Sequence, residues 1–545
     1  MATIDVTEII NATPAPSSKR PRLSEDVPSN NSAPSDPSSL LAALESGGDA
    51  VELDETQLKR LVAQLEKKSL KNREMRIKHA DDPQKFMESE VDLNVAIQEL
   101  TSIAAQPELF SLFISLRGPQ MLVTLLAHEN TDIVAAVLNL VKELLEDDGE
   151  SGENEEVGEV ADAFIESNCV DCMVSALSRL DESINDDAEA AHNALAVIEA
   201  LLELRPELVE SEAVSSSLFQ WLLKRACQRG PFDANKLYAS EILALVLQQT
   251  DSAKKRLSDK VDGIDLLLRA LATYKKHDPQ PGDEREFMEN VFDALCAALM
   301  MPENRSKFLE GEGLQLMNLM LKSSKLSRQS ALKVLDHATS GPEGAENCAK
   351  FIEILGLRTI FPLFMRTPAK AKRKDSTPDE HEEHVCAILA SLMRSCDDNA
   401  RLRVMQKFVE HEHEKVDRGV ELLMKYREKV EKFEKKRKRK EIENDVEEDP
   451  IALYLDRLDV GLYTLQNVAV LLAEVCAHTN SARLRALKLF KLKTGEQRLT
   501  KHLVPILTEY QENLGDDADK ERNRMDLLIA KLTAAEKADA LASSS

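Results

Sequence analysis

Gly118-Pro119-Gln120-Met121-Leu122-Val123-Thr124-Leu125-Leu126-Ala127-His128-Glu129-Asn130-Thr131-Asp132-Ile133-Val134-Ala135-Ala136-Val137-Leu138-Asn139-Leu140-Val141-Lys142-Glu143-Leu144-Leu145 reads as two amphipathic helices and the break between them. Met121, Leu122, Leu125 and Leu126 recur at helical spacing and make one short apolar face. Asn130-Thr131-Asp132 then offers capping oxygens to the orphan N–H groups of a second helix, whose face is Val134, Val137, Leu138, Val141, Leu144 and Leu145. Neither stripe can be buried within this stretch, so a stable chain must repeat it alongside. It does: a Gly or Val reopens the pattern near Gly118, Val170, Val214, Gly263, Gly313 and Gly356, at intervals of 52, 44, 49, 50 and 43 residues. Periods of roughly 40 to 47 residues mark armadillo or HEAT arrays. The expected fold is therefore all-α, an armadillo/HEAT-like right-handed superhelical solenoid, and such stacks present extended surfaces that bind other chains.

Working outward, Met173, Leu177 and Leu180 lead the next unit, a polar Asp181 to Asp187 stretch intervenes, and Ala194, Leu195, Ile198, Leu201 and Leu202 follow. Ile264 to Leu271 with Val291 to Leu299, and Leu314 to Leu321 with Ala331 to Ala338, continue the array. Residues 118–400 are read as repeats and 53–117 as an N-terminal helical cap that begins with a charged helix on Leu58, Leu61, Val62 and Leu65. Residues 1–52, rich in Ser, Pro, Asn and Asp, bury too little to offset their ordering entropy and are expected to be disordered. Past Leu392 the period fails. Residues 401–450 are expected to be a charged helical or flexible insert, 451–515 a C-terminal helical cap, and 516–545 a tail that frays at its end.

Composition narrows the function. A net charge of −26 argues against wholesale wrapping of nucleic acid and favours basic partners. The eight cysteines are scattered through helical stretches, which suits a reducing compartment, and a basic n-region with an apolar leader is absent from the first residues. No uninterrupted run of 18 apolar residues suggests a membrane span. His381-Glu382-Glu383-His384 imitates a zincin motif, but its histidines are three apart where four are needed, so it reads as an accidental helix surface. Cys169-Val170-Asp171-Cys172 lacks a second CxxC and reads as structural thiols. Phosphate-cradling glycine motifs and a G-x-S-x-G elbow are also missing, so no catalytic, cofactor-binding or metal-binding residue is expected and no enzymatic activity. Trp221, between Leu218 and Leu222 on one stripe, reads as core rather than a stacking platform.

Three charged clusters remain. Lys19-Arg20-Pro21-Arg22 suits an extended nuclear-localisation segment held through charge-assisted hydrogen bonds. Lys435, Lys436, Arg437, Lys438, Arg439 and Lys440 form a second basic patch, diluted by Glu431, Glu434 and Glu441. Glu146, Asp147, Asp148, Glu150, Glu153, Glu155 and Glu156 belong to an acidic stretch with no base; with Asp181, Glu182, Asp186, Asp187 and Glu189 of the next unit, it would attract Lys/Arg-rich peptides if it flanked a groove.

Particular stretches go further: Phe86-Met87-Glu88-Ser89-Glu90, Gln220-Trp221-Leu222-Leu223-Lys224-Arg225, Pro231-Phe232-Asp233-Ala234-Asn235-Lys236-Leu237-Tyr238, Glu312-Gly313-Leu314-Gln315-Leu316-Met317-Asn318, and Ile354-Leu355-Gly356-Leu357-Arg358-Thr359-Ile360-Phe361-Pro362. Over roughly residues 53 to 515 the chain resembles the beta-catenin-like protein 1 family. That family also carries Lys-Arg-Pro-Arg at the place of Lys19 to Arg22. The resemblance implies a non-enzymatic nuclear scaffold of the spliceosome, in the assembly containing pre-mRNA-processing factor 19 and the cell division cycle 5-like protein. It implies recognition of basic nuclear-localisation segments on partners and, through the chain's own basic cluster, contact with import receptors; a homodimer stays open, and neither sequence-specific nucleic acid nor membrane is implied. The first 50 residues lack the long Glu-rich tract associated with the family. An importin-like adaptor is the alternative, since armadillo import receptors also bind basic peptides. Those receptors need a Trp/Asn ladder that one Trp cannot build, and Asn139 and Asn193 fall out of register with each other.

Overall fold

The computed structural model describes residues 53–146, 155–259, 262–323, 325–368, 377–444, 450–515 and 518–544, and no strand occurs among them. Eight longer helices form its spine: α1 (Met87–Leu100), α2 (Thr131–Leu145), α3 (Asn185–Leu204), α4 (Ala234–Gln249), α5 (Asp283–Ala298), α6 (Ser327–Thr339), α7 (Pro378–Ser395) and α8 (Tyr463–His478). Each packs on the next, from α1 through α8. Shorter helices such as Gly118–Leu125, Gly263–Leu271 and Gly313–Lys322 stand between these rungs. The fold is an all-α armadillo-type solenoid.

Local chemistry sets the rung ends. Asn130 Oδ1 accepts the Asp132 N–H at 2.9 Å to open α2, Asp233 Oδ1 accepts the Lys236 N–H at 2.8 Å to open α4, and Thr377 and Glu380 form a reciprocal capping box at α7. The apolar faces are the expected ones: Val134, Val137, Leu138, Val141 and Leu144 are buried on α2, and Leu195, Ile198, Leu201 and Leu202 on α3. Each fully buried aliphatic side chain contributes about 1.5–3 kcal/mol, so the stack rather than helix propensity stabilises the rungs.

The restart glycines have a packing cause. The ring of Phe113 fills the space a Cβ on Gly118 would need, and Phe308 does the same at Gly313, five residues on in both cases. The residue before each glycine turns left-handed, Arg117 at φ 60° and Glu312 at φ 60°. A phenylalanine thus plugs the corner where one helix ends and the next begins.

Three boundaries differ from the sequence reading. The rung series starts at α1, inside the segment read as a cap. Of the two forms expected for the charged insert the helical one is found, Glu414–Asn444 being one 31-residue helix, but it is part of the packed fold. Its first half buries Val416, Val420, Leu422, Leu423, Tyr426 and Val430, and this apolar stripe is obscured in sequence by the Lys/Arg run that follows. The last helix, Asp519–Ser544, also docks: Met525, Leu528 and Leu532 are buried, Arg524 reaches Glu474 at 2.5 Å, and Arg483 holds Asp539 at 2.7 Å. The segment Pro450–His478 is long and apolar enough to cross a membrane by composition, yet 89% of its apolar window is buried in the protein. Residues Thr464 to Ala477 of α8 are covered on every side, so the apolarity serves a core helix.

Candidate partner-binding surface

Every rung from α3 to α8 is tied to the next by polar side chains. Tyr238 Oη donates to Glu199, and the His192 ring meets Asn235 Oδ1 at 3.1 Å, joining α3 to α4. Asn290 Nδ2 donates to Ser240 Oγ at 3.4 Å. Between α5 and α6, Ser330 Oγ donates to Glu289 at 2.7 Å and Lys333 Nζ to Asp293 at 2.7 Å. His381 Nδ1 lies 3.2 Å from Gln329, His384 Nδ1 2.9 Å from Asp336, and Thr464 Oγ1 donates to Glu383 at 3.3 Å. Within a rung these groups stand three, four or seven residues apart, as Glu289 and Asp293 do on α5 and Gln329, Lys333 and Asp336 on α6, so they line up as one seam.

The seam is electrically unbalanced. Glu199, Glu289, Asp293, Asp336 and Glu383 face a single lysine, Lys333, in the contacts just described. Burial pushes the carboxyls of Glu289 and Glu383 above the usual range, outweighing one hydroxyl hydrogen bond each and the nearby charges of Arg285 and Lys333 at Glu289 and of His384 at Glu383. A half-desolvated anion with one neutral donor gains from an arriving ammonium or guanidinium. Burial likewise lowers His337 and His381.

On the other side of α7 the balance is reversed. Glu382, 6% exposed, accepts from Arg418 at 2.8 Å, Lys425 at 2.7 Å, Tyr426 at 2.9 Å and Thr367 at 2.5 Å. Burial pushes its carboxyl up, but the hydrogen bonds outweigh burial and hold it below the usual range. Asp379, between Lys425 at 2.6 Å and Lys429 at 2.8 Å, is held at about 2 for the same reason, its partners overcoming its desolvation. This closed cluster clamps the long helix Glu414–Asn444 to α7.

The residues singled out from sequence are spread apart. Lys19, Arg20, Pro21 and Arg22 lie outside the described residues, as do Asp147, Asp148, Glu150 and Glu153. Glu146 ends α2 and pairs with Lys142 at 3.4 Å; Glu155 and Glu156 are exposed in the first turn of Glu155–Glu166. Much of the second acidic loop serves local structure. Glu182 is bound by Arg225 at 2.7 Å and Asn235 at 2.8 Å, and Asp187 accepts the Asp181 N–H at 2.8 Å. Lys435, Lys436, Lys438 and Arg439 are exposed on the outer half of Glu414–Asn444, whereas Arg437 pairs with Asp456; the side chain of Lys440 lies outside the description.

His381 and His384 are not an accidental surface: His381 is 2% exposed and both close the joint between α6 and α7, because the i, i+3 face of α7 packs against its neighbouring rung. Cys169 is buried, its thiol pushed up to about 12 by burial, and Cys172 is half-buried with a raised thiol. Among the described residues no group of His, Cys, Asp and Glu is placed to hold a metal ion. Trp221 is half-buried, so it is neither full core nor a free platform. The seam carboxylates Glu199, Glu289, Asp293, Asp336 and Glu383 escaped the sequence reading; their one signal was acidic residues recurring at helical spacing on the polar side of each rung.

Residues 38–507 match the family described as "Catenin-beta-like, Arm-motif containing nuclear". The chain is 47% identical over 481 residues to Beta-catenin-like protein 1 of Homo sapiens and of Bos taurus, covering 86% of this chain and 84% of each relative. The Schizosaccharomyces pombe homolog of Beta-catenin-like protein 1 is 33% identical over 465 residues, covering 85% of this chain and 79% of its own. A solved structure from work on the interaction between cadherin and beta-catenin shares the fold, with a TM-score of 0.50 at 12% identity, 91% of this chain and 94% of that one being covered. With rungs, restarts and relatives in agreement, this chain belongs to the catenin-beta-like family of Arm-motif-containing nuclear proteins.

Proposed function

We propose that this protein is a non-enzymatic nuclear scaffold acting in pre-mRNA splicing, and that the α3–α8 seam docks Lys/Arg-rich nuclear-localisation segments of splicing proteins. The cell division cycle 5-like protein, in the assembly with pre-mRNA-processing factor 19, is the partner implied by the family resemblance. The observation that carries the docking reading is the surplus of seam carboxylates, two of which, Glu289 and Glu383, are partly buried and hydrogen-bonded to a single hydroxyl each. An extended basic segment laid across successive rungs would supply one cation per joint, at the 8–10 Å spacing usual for packed helices. The complete chain titrated with a Lys-Lys-Arg-Lys peptide tests it. Binding that weakens as salt rises from about 50 to about 200 mM supports the seam; absent or salt-indifferent binding overturns it.

An importin-like role is less well supported, because Trp221 sits on the short helix Phe219–Ala226 and not on a rung. Nuclear entry itself is assigned to Lys19, Arg20 and Arg22. Their joint replacement by Ala should shift the protein to the cytoplasm, read by imaging of a tagged chain; an unchanged nuclear signal would move that role to another patch or a partner.

A further inference from the structure

A cleft of about 480 Å³ opens where the turn after Phe219–Ala226 meets the helix Gly263–Leu271 and the start of α5. Its floor is aromatic. Phe232 and Phe287 lie 5.9 Å apart between ring centroids, and Tyr274, 4% exposed, stands beside them with its hydroxyl on Glu284. Its charge is basic, in a chain that is strongly acidic elsewhere.

Lys236 is the unusual member. Only 8% exposed, it lines the cleft and places Nζ 5.7 Å from the Phe287 ring centroid. Its ammonium makes one hydrogen bond, to Gln228 O at 2.6 Å, and no ion pair among the described residues. An ammonium carries three donors, and a buried cation without an anion costs several kcal/mol. Asp233, its neighbour in sequence, is engaged by Arg225 at 2.6 Å and by the α4 cap. At the rim Arg229 is exposed and makes no ion pair among the described residues, while Arg269 is held by Asp265 at 2.7 Å. The one acidic lining residue, Glu284, already accepts from Tyr274 and from the Gln280 N–H at 2.7 Å.

We propose that this cleft is a second docking site, of opposite polarity to the seam, which takes an acidic peptide segment of a partner: one carboxylate on Lys236 with an adjacent aromatic or branched aliphatic side chain on Phe232 and Phe287. The volume falls within the usual 300–1,000 Å³ of built ligand sites and the lining has their composition, apolar walls with a few convergent polar groups. A single desolvated cation matches a single carboxylate; a phosphate dianion would bring uncompensated charge close to Glu284. The site is distinct from the seam in location and in ligand charge, so each can fail without the other.

The test is fluorescence anisotropy on the complete chain with a labelled Gly/Ser dodecapeptide carrying a central Leu-Phe-Asp. Saturable binding is expected. It should weaken about tenfold or more when Asp becomes Asn or Lys236→Met is introduced, and about threefold for Arg229→Glu at the exposed rim. If Lys236→Met fails to fold by circular dichroism, Arg229→Glu and the Asn peptide still decide. No binding to the native chain, equal binding of the Asn peptide, or indifference to Arg229→Glu would overturn the site. Tighter binding of the peptide with phosphoserine for Asp would overturn the carboxylate assignment.

Discussion

Glu382 and Glu383 are neighbours on α7 and live under opposite conditions. Glu382 faces the C-terminal helices and is held by Arg418, Lys425, Tyr426 and Thr367, whereas Glu383 faces the seam with Thr464 alone. One carboxyl is pulled below its usual range and the other pushed above it. The C-terminal clamp is an internally neutralised joint that fixes structure; in the seam Glu289 and Glu383 hydrogen-bond to a hydroxyl alone, the feature on which the proposed docking of a basic segment rests.

Breaking the rungs themselves should have the largest effect. Leu332→Asp, on a fully buried position of α6, should cost about 4 kcal/mol or more by burying an unpaired charge. A melting curve that is unchanged would refute the placement of that face, while damage confined to α6 would contradict the coupling of each rung to its neighbours.

Removing the clamp comes next. Glu382→Ala removes the buried acceptor shared by Arg418, Lys425 and Tyr426, leaving Glu421 to Arg418 and Asp379 to Lys425, and should cost about 2 kcal/mol, seen as faster amide exchange in Glu414–Asn444 and α8 before the repeats open. If exchange rises first in α3 to α5, the clamp is not what holds the C-terminal helices.

Acid separates the two regions by sign. Asp379 and Glu382 have folded pKa values below their unfolded ones, near 4, so their contribution is present above about pH 4 and is lost as pH falls toward about 2, the value at Asp379. Glu289 and Glu383 are shifted upward, so their penalty is full at neutral pH and is relieved as pH falls through the raised values. Exchange at pH 3 against pH 6 should therefore loosen residues 414–430 more than α5 and α6. The reverse order would contradict the assigned directions.

Smaller effects sharpen the functional side. The double change Glu289→Gln and Glu383→Gln should raise neutral-pH stability slightly, by about 0.5 kcal/mol, and weaken binding of a Lys-Lys-Arg-Lys peptide about tenfold. Lost stability together with intact binding would make the seam structural after all. Trp221→Phe should cost under about 1 kcal/mol in a thermal melt, since the ring is half-buried; several kcal/mol would mean a core role.

The repeat period, the α2 face from Val134 to Leu144, and the helix start at Asn130 were legible because helical periodicity and capping are local properties of the chain. Even the restart glycines were visible, although not their cause, since a Phe ring over a glycine five residues away is a packing event. The seam was not legible. Glu289 finds Ser330 across 41 residues and Glu383 finds Thr464 across 81, and nothing near either glutamate distinguishes it from a solvated surface residue. Nor could the sequence separate Glu382 from Glu383, because one step along a helix turns a side chain by about 100° and tertiary packing alone decides which step meets Arg418. Its own residues and their spacing determined that this chain stacks helices; which carboxylates are neutralised within that stack and which are pushed above their usual range was decided only by the packed structure, where burial and the nearest cation set each charge.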